Sequence, residues 1–330
     1  MTGNEFYDRE WQHKIDNDIC RIKEEENVDI IKAFNSYLIA KGIMISTRRN
    51  YLNKIVKFVN EIGKPLSELM FFDFINFITG YQGKTSSYQI QVYTALKNFS
   101  EYLYKTNIIS EDYMKKVDHP KMRESIKTVE RREKSYLNEK ELESFILNAK
   151  YGNNKFEKKD SKYIRARDYA LVMIMLNTGL RCSAIEKLDV SDISVEERMF
   201  KITEKRGKIR TCAISDQLMN VLEQWLEVRK YLEKDETDSA LFISKNGTRL
   251  KSKMIRKIVG KCGEGIKDIK ITPHKLRATY GTTIYEKTGD IYLTQKCMGH
   301  SNVQTTMLYV RGQEEKAQKK AAEIMSNITF

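Results

Sequence analysis

The chain has few cysteines and no pattern among them. Cys20, Cys182, Cys212, Cys262 and Cys297 are scattered, odd in number and without C-x-x-C spacing. Neither a disulfide framework nor a zinc site is expected, and a reduced, cytoplasmic setting is the simplest reading. Long apolar runs are missing as well: none reaches the roughly 18 residues needed to span a bilayer. The opening residues, MTGNEFYDREWQHK, lack the apolar stretch of a signal peptide. No paired carboxylates and no HExxH-like cluster suggest a metal, and no cofactor is expected. Histidine is scarce, with four in the chain, yet two of them fall in one segment, residues 271 to 310.

What is abundant is positive charge. With 58 Lys and Arg against 45 Asp and Glu, the net charge of +13 points to a polyanionic partner, nucleic acid before membrane. At 330 residues the chain is long enough for two domains, each with its own core. Residues 1–28 are polar, end in Glu24-Glu25-Glu26, and read as a helical or loose, solvated extension. From 29 to 118 the spacing is helical throughout. One face is Ile30, Ile31, Phe34, Tyr37 and Leu38, stopped by Gly42. A second is Tyr51, Ile55, Phe58, Val59 and Ile62, capped by Ser46. A short third follows Ser67, and a fourth from Ser86 carries Ile90, Tyr93, Leu96, Phe99 and Leu103. That is a compact helical bundle whose aromatics belong to its core. The polar residues between them, Thr47, Arg48, Arg49, Asn50, Lys54, Lys84, Ser86, Ser87 and Lys97, are candidates for DNA contact, or simply a solvated face.

Residues 119–136 are charged, lack an apolar face and read as a linker. Asn138 with Glu141 is a capping box opening a second domain. There the periods mix. DYALVMIMLNTGL reads as a buried helix that delivers Arg181 at its end. MFKIT and KIRTCAI, joined by a turn at Glu204 to Gly207, read as a β-hairpin. Ser215 starts another helix, ALFIS reads as a short strand, and a basic helix spans Lys251 to Lys261. Its Lys251, Lys253 and Arg256 either line DNA or form a wet face. Residues 311–330 read as a polar helix with a small apolar stripe, a possible contact between subunits.

In the segment 271–310, Thr272 and Pro273 open a helix that sets His274 and Arg277 three apart on one face. Gly299 ends the next apolar stretch, His300 follows, and Thr306 leads to Tyr309. This H-x-x-R, G-H and T-x-x-Y order resembles the tyrosine recombinases of the phage integrase family. That family's first arginine, in a T-G-L-R context, is matched by Arg181 after Thr178-Gly179-Leu180. Its hairpin lysine, where relatives read G-K-G-x-K-x-R, is matched by Lys205. Spacing from Arg181 and Arg210 favours Lys205 over Lys208, although Glu204 and Arg206 stand where relatives carry glycines. The resemblance implies a mainly α protein with a small β-sheet: an N-terminal, SAM-like helical core-binding bundle and an α+β catalytic domain over residues 137–310, closing around double-stranded DNA as a clamp.

The resemblance also implies the chemistry. In-line displacement at a phosphodiester gathers negative charge on the non-bridging oxygens, which Arg181 and Arg277 would fork onto. A tyrosine hydroxyl is a poor nucleophile at its usual pKa near 10, so Tyr309 would be activated by His274 and the surrounding positive field. Lys205 would protonate the leaving 5′-oxygen, and His300 would hydrogen-bond the phosphate. One departure is Ala184, where R-x-S-E relatives carry an acid; Glu186, two positions on, points elsewhere on a helix. The expected activity is site-specific recombination, of the integrase, transposase or resolvase type. The chain would be a monomer in solution and a homo-tetramer on paired recombination sites. A type IB topoisomerase and a non-catalytic DNA-binding protein of the same fold are the alternatives.

Overall fold

The computed structural model describes residues 3–121, 135–152, 161–203, 209–233, 239–268 and 270–307, with isolated positions between 318 and 326. Lys205, Tyr309, most of the 119–136 segment and most of the C-terminal stretch lie outside the described residues. The chain separates into two compact units, one of them Glu5–Ser125, the other Ile126–Phe330 together with Met1–Asn4. Among the described residues no helix is long and apolar enough to cross a membrane.

The first unit is helical: α1 (Gly3–Ile19), α2 (Glu25–Ala40), α3 (Ile45–Ile62), α4 (Phe71–Thr79) and α5 (Ser86–Lys105). The expected apolar faces do build its core. Phe34 meets Phe99 at 5.0 Å between ring centroids, and Phe58 meets Phe74 at 4.9 Å. Gly63, at φ +61°, ends α3 as a left-handed cap; α3 starts at Ile45 after Met44, so Ser46 lies inside it and does not cap it, while α5 begins at Ser86 as expected, capped by Thr85. The start of the chain corrects the sequence reading. Residues 3–19 are a helix of the bundle, with Ile15 wholly buried and Ile19 8% exposed. Asp18 on the same helix holds Arg49 at 2.8 Å. Burying one isoleucine contributes about 2 kcal/mol, and the half-buried Phe6, Tyr7 and Trp11 add apolar surface to the same helix.

The second unit comprises α6 (Glu139–Tyr151), α7 (Ser161–Thr178), α8 (Cys182–Lys187), β1 (Ile193–Ser194), β2 (Met199–Thr203), β3 (Ile209–Ala213), α9 (Asp216–Lys230), α10 (Ser252–Cys262), α11 (Pro273–Thr288), α12 (Ile291–Met298) and α13 (Val303–Met307). Asn138 and Glu141 form the reciprocal capping box, each bond 2.9 Å. Ala170–Met175 of α7 are buried beneath α9 and α11. The three strands pair antiparallel in the order β1-β2-β3, with Phe200 opposite Cys212 and Ile202 opposite Arg210.

ALFIS is not a strand. It makes only isolated bridges, Asp189 with Ala240 and Ile243 with Arg249. Side chains occupy its carbonyls instead: Trp225 Nε1 donates to Leu241 O at 2.9 Å, Arg229 Nη2 to Ala240 O at 2.9 Å, and Arg167 Nη1 to Ile243 O at 3.3 Å. A buried backbone needs partners, and these donors satisfy it without a neighbouring strand.

Candidate active site

Four of the sequence candidates converge at one place in the second unit. α7 ends at Thr178, Gly179 turns left-handed at φ +59°, and Arg181 follows as the exposed residue preceding α8. Pro273 occupies the first turn of α11, so His274 and Arg277 sit one turn apart. α12 ends at Met298, Gly299 at φ +62° reverses the chain, and His300 follows. His300 is 8% exposed and tightly held. Its amide donates to Gln295 O at 3.1 Å, its carbonyl accepts from Gln295 Nε2 at 3.0 Å, and its Nδ1 pairs with Thr306 Oγ1 at 2.9 Å.

Arg277 is 3% exposed. Its Nη1 donates to Gly179 O and its Nη2 to Met298 O. A guanidinium carries five N–H groups in a planar fork, so it can hold two carbonyls and still face an anion. Gly179 is required twice over: its φ suits glycine, and a Cβ there would strike the Tyr280 ring. Gly179→Ala should therefore destabilise the protein by about 2–4 kcal/mol, strain and overpacking together, readable as a shift of the urea midpoint. A midpoint equal to the wild type's would mean that the turn accommodates a side chain.

The electrostatics show the same convergence. Burial first, then the charges of Arg277, Arg181, Arg210 and His274, brings the His300 pKa down to about 4. His274 is lowered by the protein around it and by Arg277 and Arg181. Both imidazoles are thereby biased to the neutral form at pH 7, where each ring has one acceptor nitrogen. Arg210 was only a spacing landmark in the sequence. In the structure it reaches the same place, and its Nη2 donates to Thr178 O at 3.3 Å and to Cys297 O.

Ala184 packs on the apolar core of this unit. Glu186 does not stand in for the missing acid, because its carboxylate accepts from Ser252 Oγ and its carbonyl from Arg249 Nη1 at 3.1 Å. Cys182 Sγ also reaches Ser252 O at 3.6 Å, so α8 is tied to the start of α10. Lys251, Lys253 and Arg256 are exposed along α10, beside a groove of about 1220 Å³.

In the first unit the candidates divide. Lys84, Ser87 and Lys97 are exposed, while Thr47, Asn50 and Ser86 are half-buried. Arg49 is spent on Asp18. Arg48 and Lys54 are buried, not the surface cations expected: Arg48 Nη1 donates to Asn35 Oδ1 at 2.8 Å, and Lys54 Nζ donates to Asn50 Oδ1 beside the Tyr88 ring. Their aliphatic stems pack inward while an amide on the same or the neighbouring helix takes the charge.

The chain has relatives among known proteins in both sequence and fold. Residues 135–316 match the phage integrase family. The chain is similar to the tyrosine recombinase XerC of Actinobacillus pleuropneumoniae, 34% identical over 145 residues, or 43% of this chain and 46% of that protein. The chain thus spans about half the length of that relative. XerC of Vibrio vulnificus is 25% identical over 284 residues, 84% of each chain. Among solved structures, the XerH site-specific recombinase bound to a palindromic difH substrate has a similar fold. Its TM-score is 0.67 at 21% identity, covering 96% of this chain and 94% of that one.

Proposed function

The chain belongs to the phage integrase family, and on that footing we propose that it is a site-specific recombinase that cuts and rejoins double-stranded DNA through a 3′-phosphotyrosine at Tyr309. The observation that carries this reading is the meeting of Arg181, Arg277, His274 and His300 around two helix ends, with both histidines held toward their neutral forms. Arg181 and Arg277 bind the non-bridging oxygens and stabilise the charge that builds there in the transition state. Neutral His274 accepts the phenol proton of Tyr309, which a protonated imidazole could not do. The Tyr309 oxygen bonds to phosphorus as the bond to the 5′-oxygen breaks, and Lys205 supplies that oxygen's proton. His300, held by Thr306, hydrogen-bonds the phosphate. The phosphotyrosyl ester keeps the energy of the broken bond, so the reverse attack by a 5′-hydroxyl rejoins the strand without ATP.

Both units bind the DNA, with Lys84, Ser87 and Lys97 as phosphate contacts in the first and Lys251, Lys253 and Arg256 in the second. Four copies act together on two sites, and the free protein is a monomer in the cytoplasm. The test is to mix the protein, in EDTA, with fragments flanking its own gene, denature in SDS and map the peptide that retains DNA. An adduct on selected fragments, at the peptide containing Tyr309, is expected. Adducts on any DNA with relaxation of supercoils, or linkage at another residue, would overturn the reading.

A further inference from the structure

Two helices of the second unit end against the same pair of guanidinium groups. α7 stops at Thr178 and α12 at Met298, each before a left-handed glycine. The last carbonyls of a helix have no partner within it and form the negative end of its dipole. Arg277 joins the carbonyls of Gly179 and Met298, while Arg210 joins the carbonyls one residue earlier on each side, Thr178 and Cys297. The two arginines are successive rungs across one gap. Arg181 lies three residues beyond the end of α7 and His300 two beyond the end of α12. What holds the helix ends together therefore sets the placement of those two side chains.

Strand register brings Arg210 to this gap. It stands opposite Ile202, which is 2% exposed, and directly paired residues share a face. Its neighbour Ile209, on the other face, is 69% exposed. Arg210 is also among the charges that hold His300 neutral, which independently places its guanidinium near that ring.

We propose that Arg210 is a positioning residue of the recombination site, fixing the Arg181 turn against the His300 turn by bridging the two helix ends. The proposal rests on the recombinase reading above. It gives Arg210 no contact with the reacting phosphate, so its loss should change how well the site is assembled rather than how tightly DNA is held. Two variants separate geometry from charge. Arg210→Met keeps an apolar stem and removes every donor; Arg210→Lys keeps the charge but replaces the planar fork with one compact ammonium.

The experiment has two arms, both on the full chain. Without DNA, amide hydrogen exchange is followed at residues 179–181 and 298–300, with α9 as the internal standard. With DNA, the rate of adduct formation and the affinity are measured on a nicked duplex of the chain's own flanking sequence. In both variants the two turns should exchange about tenfold faster while α9 stays protected. Adducts should form about 10- to 100-fold more slowly, with affinity unchanged. Turns that exchange as in the wild type overturn the clamp. Turns that loosen together with α9 reduce Arg210 to a general stabiliser and overturn it equally. Loosened turns with a wild-type adduct rate show that the clamp does not position the reaction. A wild-type protein that forms no adduct defeats the recombinase reading and the catalytic half of this proposal with it, a result the DNA-free arm does not share.

Discussion

Arg277→Ala is expected to slow adduct formation about 1000-fold, the upper range for removing one preorganised donor from a charged transition state. The size follows from the two tasks the structure gives this side chain. In the proposed reaction its fork meets the oxygens that gain charge, and no other described group replaces it on that face of α11. At the same time its Nη1 and Nη2 hold the carbonyls of Gly179 and Met298. Truncation leaves those acceptors without that donor, at about 1–3 kcal/mol each, so the variant should also melt earlier. It removes a positive neighbour from both His274 and His300 as well, and their pKa values should move back up toward the ordinary imidazole range. Arg277→Lys keeps the charge but cannot span both carbonyls, and should fall between the two. The measurement is single-turnover adduct formation at a temperature where a urea titration shows each variant folded. A folded Ala variant within about tenfold of the wild-type rate would remove Arg277 from the proposed chemistry.

Much of this arrangement was legible because its signals are local. The Asn138–Glu141 box, Ser215 before α9, Pro273 opening α11 and left-handed Gly299 each declare an element boundary within a few residues. The motif residues then fall at those boundaries, where a side chain is delivered at a fixed point. What escaped the sequence depends on distant partners. Tyr7, Trp11, Ile15 and Ile19 recur every four residues in α1, but the charged and polar residues between them hid that stripe, and its burial shows only with α3 beside it. Arg48 and Lys54 look like surface cations until Asn35 and Asn50 are seen to take them inward. ALFIS has strand composition, yet Trp225, Arg229 and Arg167 bind the carbonyls that a neighbouring strand would have used. Arg210 was hidden for a similar reason. Whether it points inward is set by its pairing with Ile202, and no spacing within β3 reveals that.

His300 should make the protein sensitive to mild acid well above the range where carboxylates titrate. Its pKa is near 4 in the folded chain and near the ordinary 6.5 when unfolded. Between those values the unfolded chain binds the extra proton and the folded chain does not, so stability is complete above about pH 6.5 and is lost as pH falls toward 4. From pH 7.5 to 4.5 the expected loss from this group alone is about 2.5 kcal/mol. The sign is opposite to that of a histidine beside a carboxylate, because the neighbours here are Arg277, Arg181, Arg210 and His274. His274 is depressed too and contributes in the same direction. Acid also attacks the helical bundle, but in a different window. Glu101, held by Lys105 and Lys41, has its pKa lowered to about 2, so its contribution is present above the ordinary carboxylate range and disappears only as pH drops toward 2. His300→Gln isolates the term, since glutamine stays neutral and can still pair with Thr306. Urea titrations at pH 7.5 and 4.5 should show the wild type losing about 2 kcal/mol more than His300→Gln. Equal losses would place His300 in a site where the proton is tolerated. That would in turn demand a carboxylate or phosphate facing the arginines, which the described residues around this ring do not supply.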